Sequence, residues 1–96
     1  MMGDEEFARA IAAIFAGRLP ALLNEVKESM AKGATEAFQG SIHTIKGSAA
    51  NVGGEALSNV AQRIEQNEIA CELPVLIADL ESQAELLMAV IRNWTK

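Results

Sequence analysis

His43 is the only histidine of the chain, and it opens the run His43-Thr44-Ile45-Lys46-Gly47. A neutral imidazole is a nucleophile near neutral pH. On a helix, a lysine three residues further on lies one turn away, so its ammonium reaches the same space. A nucleophile beside a cation suits chemistry on an anionic group, and an ammonium placed there would help to hold the oxygens of a phosphoryl group. Gly40 and Gly47 flank this pair, although a glycine inside a helix costs roughly 1 kcal/mol relative to alanine. Access for a second protein surface is one gain that offsets this cost. Close packing of helices is the other.

The elements that position these residues follow from apolar spacing. Phe7, Ile11, Ile14, Phe15, Leu19, Leu22, Val26 and Met30 recur at threes and fours behind Asp4 as helix cap. Pro20 lies inside this stripe and predicts a kinked or split helix, with a bend favoured because the stripe keeps its phase across the proline. Gly33 ends it. A second helix starts at Thr35, whose hydroxyl is expected to cap the free amides, and turns Phe38, Ile42, Ile45, Ala49 and Val52 inward until Gly53-Gly54 breaks it. A third helix buries Leu57, Val60, Ala61 and Ile64 and gives way to a loop around Glu68 to Glu72. Pro74 suits the first turn of a fourth, which carries Ile77, Leu80, Ala84, Leu87, Ile91 and Trp94 on its seam. The expectation is an all-α protein: an antiparallel four-helix bundle, one domain over residues 1–96, with helices at about 4–31, 35–52, 55–67 and 73–94.

This frame places the histidine. At about 100° per residue, the core positions of the second helix fall within roughly 40° of Phe38, while His43 lies about 140° away. Gln39, Lys46 and Ala50 fall on the same side at about 80 to 120°, and Gly40 and Gly47 at about 180 to 200°. His43 therefore stands on a polar outer face. On the third helix, Ser58, Gln62 and Glu65 form a polar flank beside the apolar seam. If that flank faces the second helix, Glu65 or Gln62 can accept a hydrogen bond from imidazole Nδ1–H, which fixes the tautomer and leaves the Nε2 lone pair exposed.

Composition excludes several functions. Ninety-six residues carry eight basic and thirteen acidic side chains, a net charge of -5, which disfavours nucleic acid and anionic lipid as partners. No apolar run approaches the roughly 20 residues of a membrane span. With no basic apolar leader at its start and a single cysteine, Cys71, the chain is expected to be cytoplasmic. One histidine and one cysteine make a poor ligand set, so no metal or haem is expected. Neither an acidic cluster resembling a magnesium site nor a Gly-x-x-x-x-Gly-Lys loop occurs, which argues against ATP binding and self-phosphorylation. Met30, Met88 and Trp94 read as packing residues, and Cys71 as incidental.

The run from His43 through Lys46, Gly47, Ser48, Ala49, Ala50, Asn51, Val52 and Gly53 to Leu57 resembles the signature of the histidine phosphotransfer (HPt) family. In that family His-x-Leu-Lys-Gly is followed by small residues, a glycine and a leucine. Ile45 stands where leucine is usual, a similar inward-facing apolar residue. The resemblance spans essentially the whole chain. It implies a four-helix bundle that carries phosphohistidine between receiver domains of a multistep phosphorelay. It further implies that His43 is the phosphorylated residue, Lys46 the phosphate-side cation and Gly47 the clearance residue, while Gln62 and Glu65 occupy positions where the family places polar partners of the imidazole. Gln39, Gly40, Gly47 and Ala50 would form the receiver-docking face. The chain would be a monomeric phosphoryl carrier without kinase activity or cofactor of its own, magnesium belonging to the receiver.

Its partners would be response-regulator receivers, which a hybrid sensor kinase can carry in the same polypeptide. Two other functions stay open. One is the phospho-accepting module of a chemotaxis-type histidine kinase, for which Glu65 is a fitting partner of the histidine. The other is a helical interaction module that binds without turnover.

Overall fold

The computed structural model describes residues 2–66 and 73–94, with side chains from residue 4 onward. The expected loop at 68–72, Cys71 within it, and Asn67 lie outside the described residues. Among the described residues there are four helices and no strand: α1 (Met2–Lys32), α2 (Thr35–Asn51), α3 (Glu55–Gln66) and α4 (Leu73–Trp94). Helix α2 packs between α1 and α3, and α4 closes the bundle by packing on both α3 and α1. No described helix is long and apolar enough to cross a membrane.

Two glycine turns set these neighbours. Gly33 has φ +70°, its amide bonds to the Met30 carbonyl, and the next amide, of Ala34, reaches the Ser29 carbonyl at 2.9 Å. That pair of bonds is the Schellman closure of a helix, which only a residue tolerant of the left-handed region completes without strain. The same closure ends α2. There Gly53 has φ +79°, and Gly54 donates to the Ala49 carbonyl at 2.7 Å. Because the first turn leads straight into α2, Thr35 already has helical geometry, and the cap position falls to Ala34 with no side-chain bond. The expected Thr35 cap is thus corrected. Asp4 likewise lies within the first turn of α1 rather than before it, where its charge favours the positive helix end.

The core is continuous from Ala12, Phe15, Leu19, Leu22 and Val26 on α1, through Ile42, Ile45 and Ala49 on α2 and Leu57, Val60, Ala61 and Ile64 on α3, to Leu76, Ile77, Leu80, Ala84 and Ile91 on α4. Helix α1 runs unbroken through Pro20, so it is not split. The stripe expected on α1 extends beyond its partners. Phe7 is 67% exposed, and Ile11, Ile14, Met30 and, on α4, Trp94 are exposed as well. The molecule is 46 Å long and under 20 Å across. Its length is that of α1 alone, 31 residues at roughly 1.5 Å each, and the shorter α2 and α3 cannot cover both ends. At the N-terminal end the guanidinium of Arg9 lies 5.8 Å from the centre of the Trp94 ring.

Candidate functional site

Burial of Ile42, Ile45 and Ala49 fixes the rotation of α2. His43, one residue from Ile42, is thereby turned outward, and its side chain is 72% exposed. On α3, Ala61 and Ile64 are anchored in the core, and Glu65, the neighbour of Ile64, falls at the boundary with α2. The register between the two helices is held by Ser58, whose hydroxyl donates to the main-chain carbonyl of Lys46 at 3.1 Å. At the Gly53-Gly54 turn, Gly54 is buried against Leu87, where a Cβ would approach Leu87 Cδ2 to 2.7 Å.

This scaffold brings three of the expected residues together. Oε1 of Glu65 lies 3.0 Å from Nζ of Lys46 and 3.7 Å from Nδ1 of His43. The first distance is that of a direct ion pair. The second is beyond hydrogen-bond range but within that of an ion pair with a charged imidazole. The Glu65 and Lys46 side chains are 27% and 31% exposed, so water screens the pair and its net contribution to stability is about 1 kcal/mol or less. One carboxylate oxygen thus serves two neighbours, and the ring nitrogen that faces it is Nδ1.

Gln62 is exposed on α3 and makes no hydrogen bond to His43 among the described residues. Gln39, Gly40, Gly47 and Ala50 are all exposed along the outer face of α2. A Cβ built at Gly40 or Gly47 meets nothing within 4 Å, so neither glycine is required for packing within the molecule. Thr44, between them, turns its hydroxyl back onto the Gly40 carbonyl at 2.9 Å.

Sequence reasoning missed two features. It assigned Lys46 to an incoming anion and did not foresee its pairing with Glu65, although both residues were placed on facing flanks. It also placed Ile11 and Ile14 in the core. In the structure they line, with Arg18, an open groove of about 140 Å³ against Thr44, Ser48 and Asn51 of α2. A signal existed: Ile14 adjoins Phe15, and neighbours about 100° apart on a helix cannot both face a narrow seam. Among the described residues, no group of three or more histidine, cysteine, aspartate or glutamate side chains could hold a metal ion.

A family model described as Hpt domain matches residues 10–94. No curated protein and no solved structure matches the chain.

Proposed function

The chain belongs to the Hpt domain family, the phosphotransfer modules of two-component phosphorelays, and from this premise we propose that His43 accepts a phosphoryl group from a receiver-domain aspartate and passes it to another receiver. The observation that carries this reading is the pairing of an exposed imidazole with a carboxylate on its Nδ1 side. Glu65 favours the tautomer with the proton on Nδ1, which leaves the Nε2 lone pair free to attack phosphorus in line while the aspartyl oxygen departs. Lys46 stabilises charge on the equatorial oxygens together with the receiver's own cation and magnesium. Gln39, Gly40, Gly47 and Ala50 form the docking face, with the Ile11, Ile14 and Arg18 groove as its apolar border.

In this reading the chain is a single cytoplasmic domain, a monomeric carrier with no kinase activity and no cofactor of its own. An antiparallel order of helices, with a bend of α1 at Pro20 where one backbone hydrogen bond is lost, completes it. The receivers can belong to separate proteins or to a hybrid kinase.

Incubation with a phosphorylated receiver tests the proposal. The wild-type chain acquires an acid-labile, base-stable phosphoryl group, and His43→Gln remains folded and acquires none. Label at wild-type level in that variant removes His43 from its role. The Glu65 carboxylate beside Nδ1 also favours a second reading, the phospho-accepting module of a chemotaxis-type kinase. Faster labelling by such a kinase domain with ATP than by any receiver would select it. Labelling by neither would leave an interaction module without turnover.

A further inference from the structure

Glu65 has one carboxylate oxygen between two potential cations, Lys46 and His43, and attack through Nε2 requires the imidazole to be the neutral one. With neutral His43, the full positive charge near that oxygen is the Lys46 ammonium, and this is the partner at 3.0 Å, while Nδ1 stands off at 3.7 Å. Attack of Nε2 on phosphorus changes the balance. The bond from phosphorus to the donor breaks, the Nε2–P bond forms, and the Nδ1 proton stays in place. The ring then bears positive charge and the phosphoryl oxygens bear negative charge. Each new charge needs the opposite half of the existing ion pair.

We propose that Lys46 and Glu65 form a resting ion pair that exchanges partners on phosphorylation, the ammonium moving to the phosphoryl oxygens and the carboxylate closing on Nδ1–H of the phosphorylated ring. This inference rests on His43 being the phosphoryl acceptor. The geometry makes the exchange cheap. Lysine is a point charge on a flexible four-carbon stem and can turn without any backbone movement. The pair it leaves is partly exposed and weak. The carboxylate has to shorten a 3.7 Å separation only to hydrogen-bond range, roughly 3 Å. One ion pair is thus replaced by two, Lys46 with the phosphoryl oxygens and Glu65 with the charged ring, as the chemical step proceeds, and the reverse exchange accompanies return of the phosphoryl group. Glu65 acts through its neighbours and is a positioning residue. While paired, it keeps the ammonium one helical turn from the imidazole and offsets its charge until an anion arrives.

The test uses the whole chain and phosphoramidate, a small donor whose P–N bond breaks with release of ammonia, so no receiver is needed. Carboxyl-carbon NMR of Glu65 is recorded before and after phosphorylation, in wild type and in Lys46→Met. Before phosphorylation, the substitution shifts the Glu65 signal. Afterwards the signals of the two proteins converge, and the Nδ1–H resonance of phosphorylated His43 shifts between wild type and Glu65→Gln. In parallel, Lys46→Met shortens the phosphohistidine lifetime by roughly threefold, the scale of a partly screened charge contact. A Glu65 signal that remains as sensitive to Lys46→Met after phosphorylation as before overturns the exchange while leaving the carrier function intact. A chain that takes no phosphoryl group on His43 from either phosphoramidate or a receiver removes the carrier function, and the exchange with it.

Discussion

Ser58 on α3 donates its hydroxyl hydrogen to the main-chain carbonyl of Lys46 on α2, so the backbone of the site lysine is tied to the helix that supplies Glu65. The bond is half-buried and joins neutral groups, which places its net value at about 1 kcal/mol. Ser58→Ala is expected to lower unfolding free energy by that amount in urea titration. Because the register of α3 on α2 sets the Glu65 position, the same variant is expected to slow phosphoryl acceptance, by less than Lys46→Ala does. A loss of stability with an unchanged rate would show that the core alone sets the register.

Gly54, in the turn after α2, lies against Leu87 of helix α4. A methyl there would meet Leu87 Cδ2 at 2.7 Å and the Ala49 carbonyl at 3.2 Å. Gly54→Ala is expected to cost about 1 to 3 kcal/mol, the range of overpacking in a dense interior. Leu87→Ala alone removes a half-buried side chain and also destabilises. The double variant is expected to be more stable than the sum of the two losses, since each change relieves the other. Thermal unfolding of the four proteins measures this coupling, and strict additivity would exclude the contact.

What could be read from the sequence depended on how much each residue's fate is set locally. The inward faces of α2 and α3 were legible. Ile42, Ile45 and Ala49, like Leu57, Val60, Ala61 and Ile64, are dense stripes on short helices, although Phe38 and Val52 at the two ends of the α2 stripe are only half-buried. The same rule overreached on α1, because periodicity states which residues share a face and not how far a partner extends. Phe7 shares spacing with the core but is 67% exposed near the N-terminal end of α1, and Ile14 lies at the side of the seam, beside buried Phe15, in the open groove against α2. Leu76, buried beside Ile77, was missed because only one of the two was given to the seam. The outward direction of His43 followed from its offset to Ile42. The Lys46–Glu65 pair did not, since two long side chains on facing flanks have many rotamers and spacing fixes none of them.

Pro20 tests the continuity of α1. The proline is exposed within an unbroken helix, where it withholds one amide from the backbone ladder. Pro20→Ala is expected to raise stability by about 1 to 3 kcal/mol, measured by chemical unfolding, because alanine restores that amide and is the best helix former. The buried positions on either side, Leu19 and Leu22, keep their phase, so phosphoryl acceptance is expected to change little. A fall in stability would instead mean that a bend at Pro20 is needed to fit the ends of α1 to its neighbours.

Gly40 and Gly47 offer the sharpest contrast between folding and function. Both lie in the interior of α2 with open space where a side chain would be, so alanine fits at either position and should stabilise the helix by up to about 1 kcal/mol. If the bare backbone beside His43 exists for a docking receiver, the gain in stability comes with a loss in transfer. Gly47→Ala is expected to raise the melting temperature and to slow transfer from a phosphorylated receiver. Gly47→Leu should weaken receiver affinity further, since its bulk stands under the incoming surface. Reaction with phosphoramidate, a donor too small to need that surface, is expected to slow far less in both variants. The ratio of the two rates is therefore the decisive measurement. A Gly47→Leu protein that keeps its receiver affinity and transfer rate would show that the glycine does not serve docking, and its cost to the helix would then be without a purpose in this site.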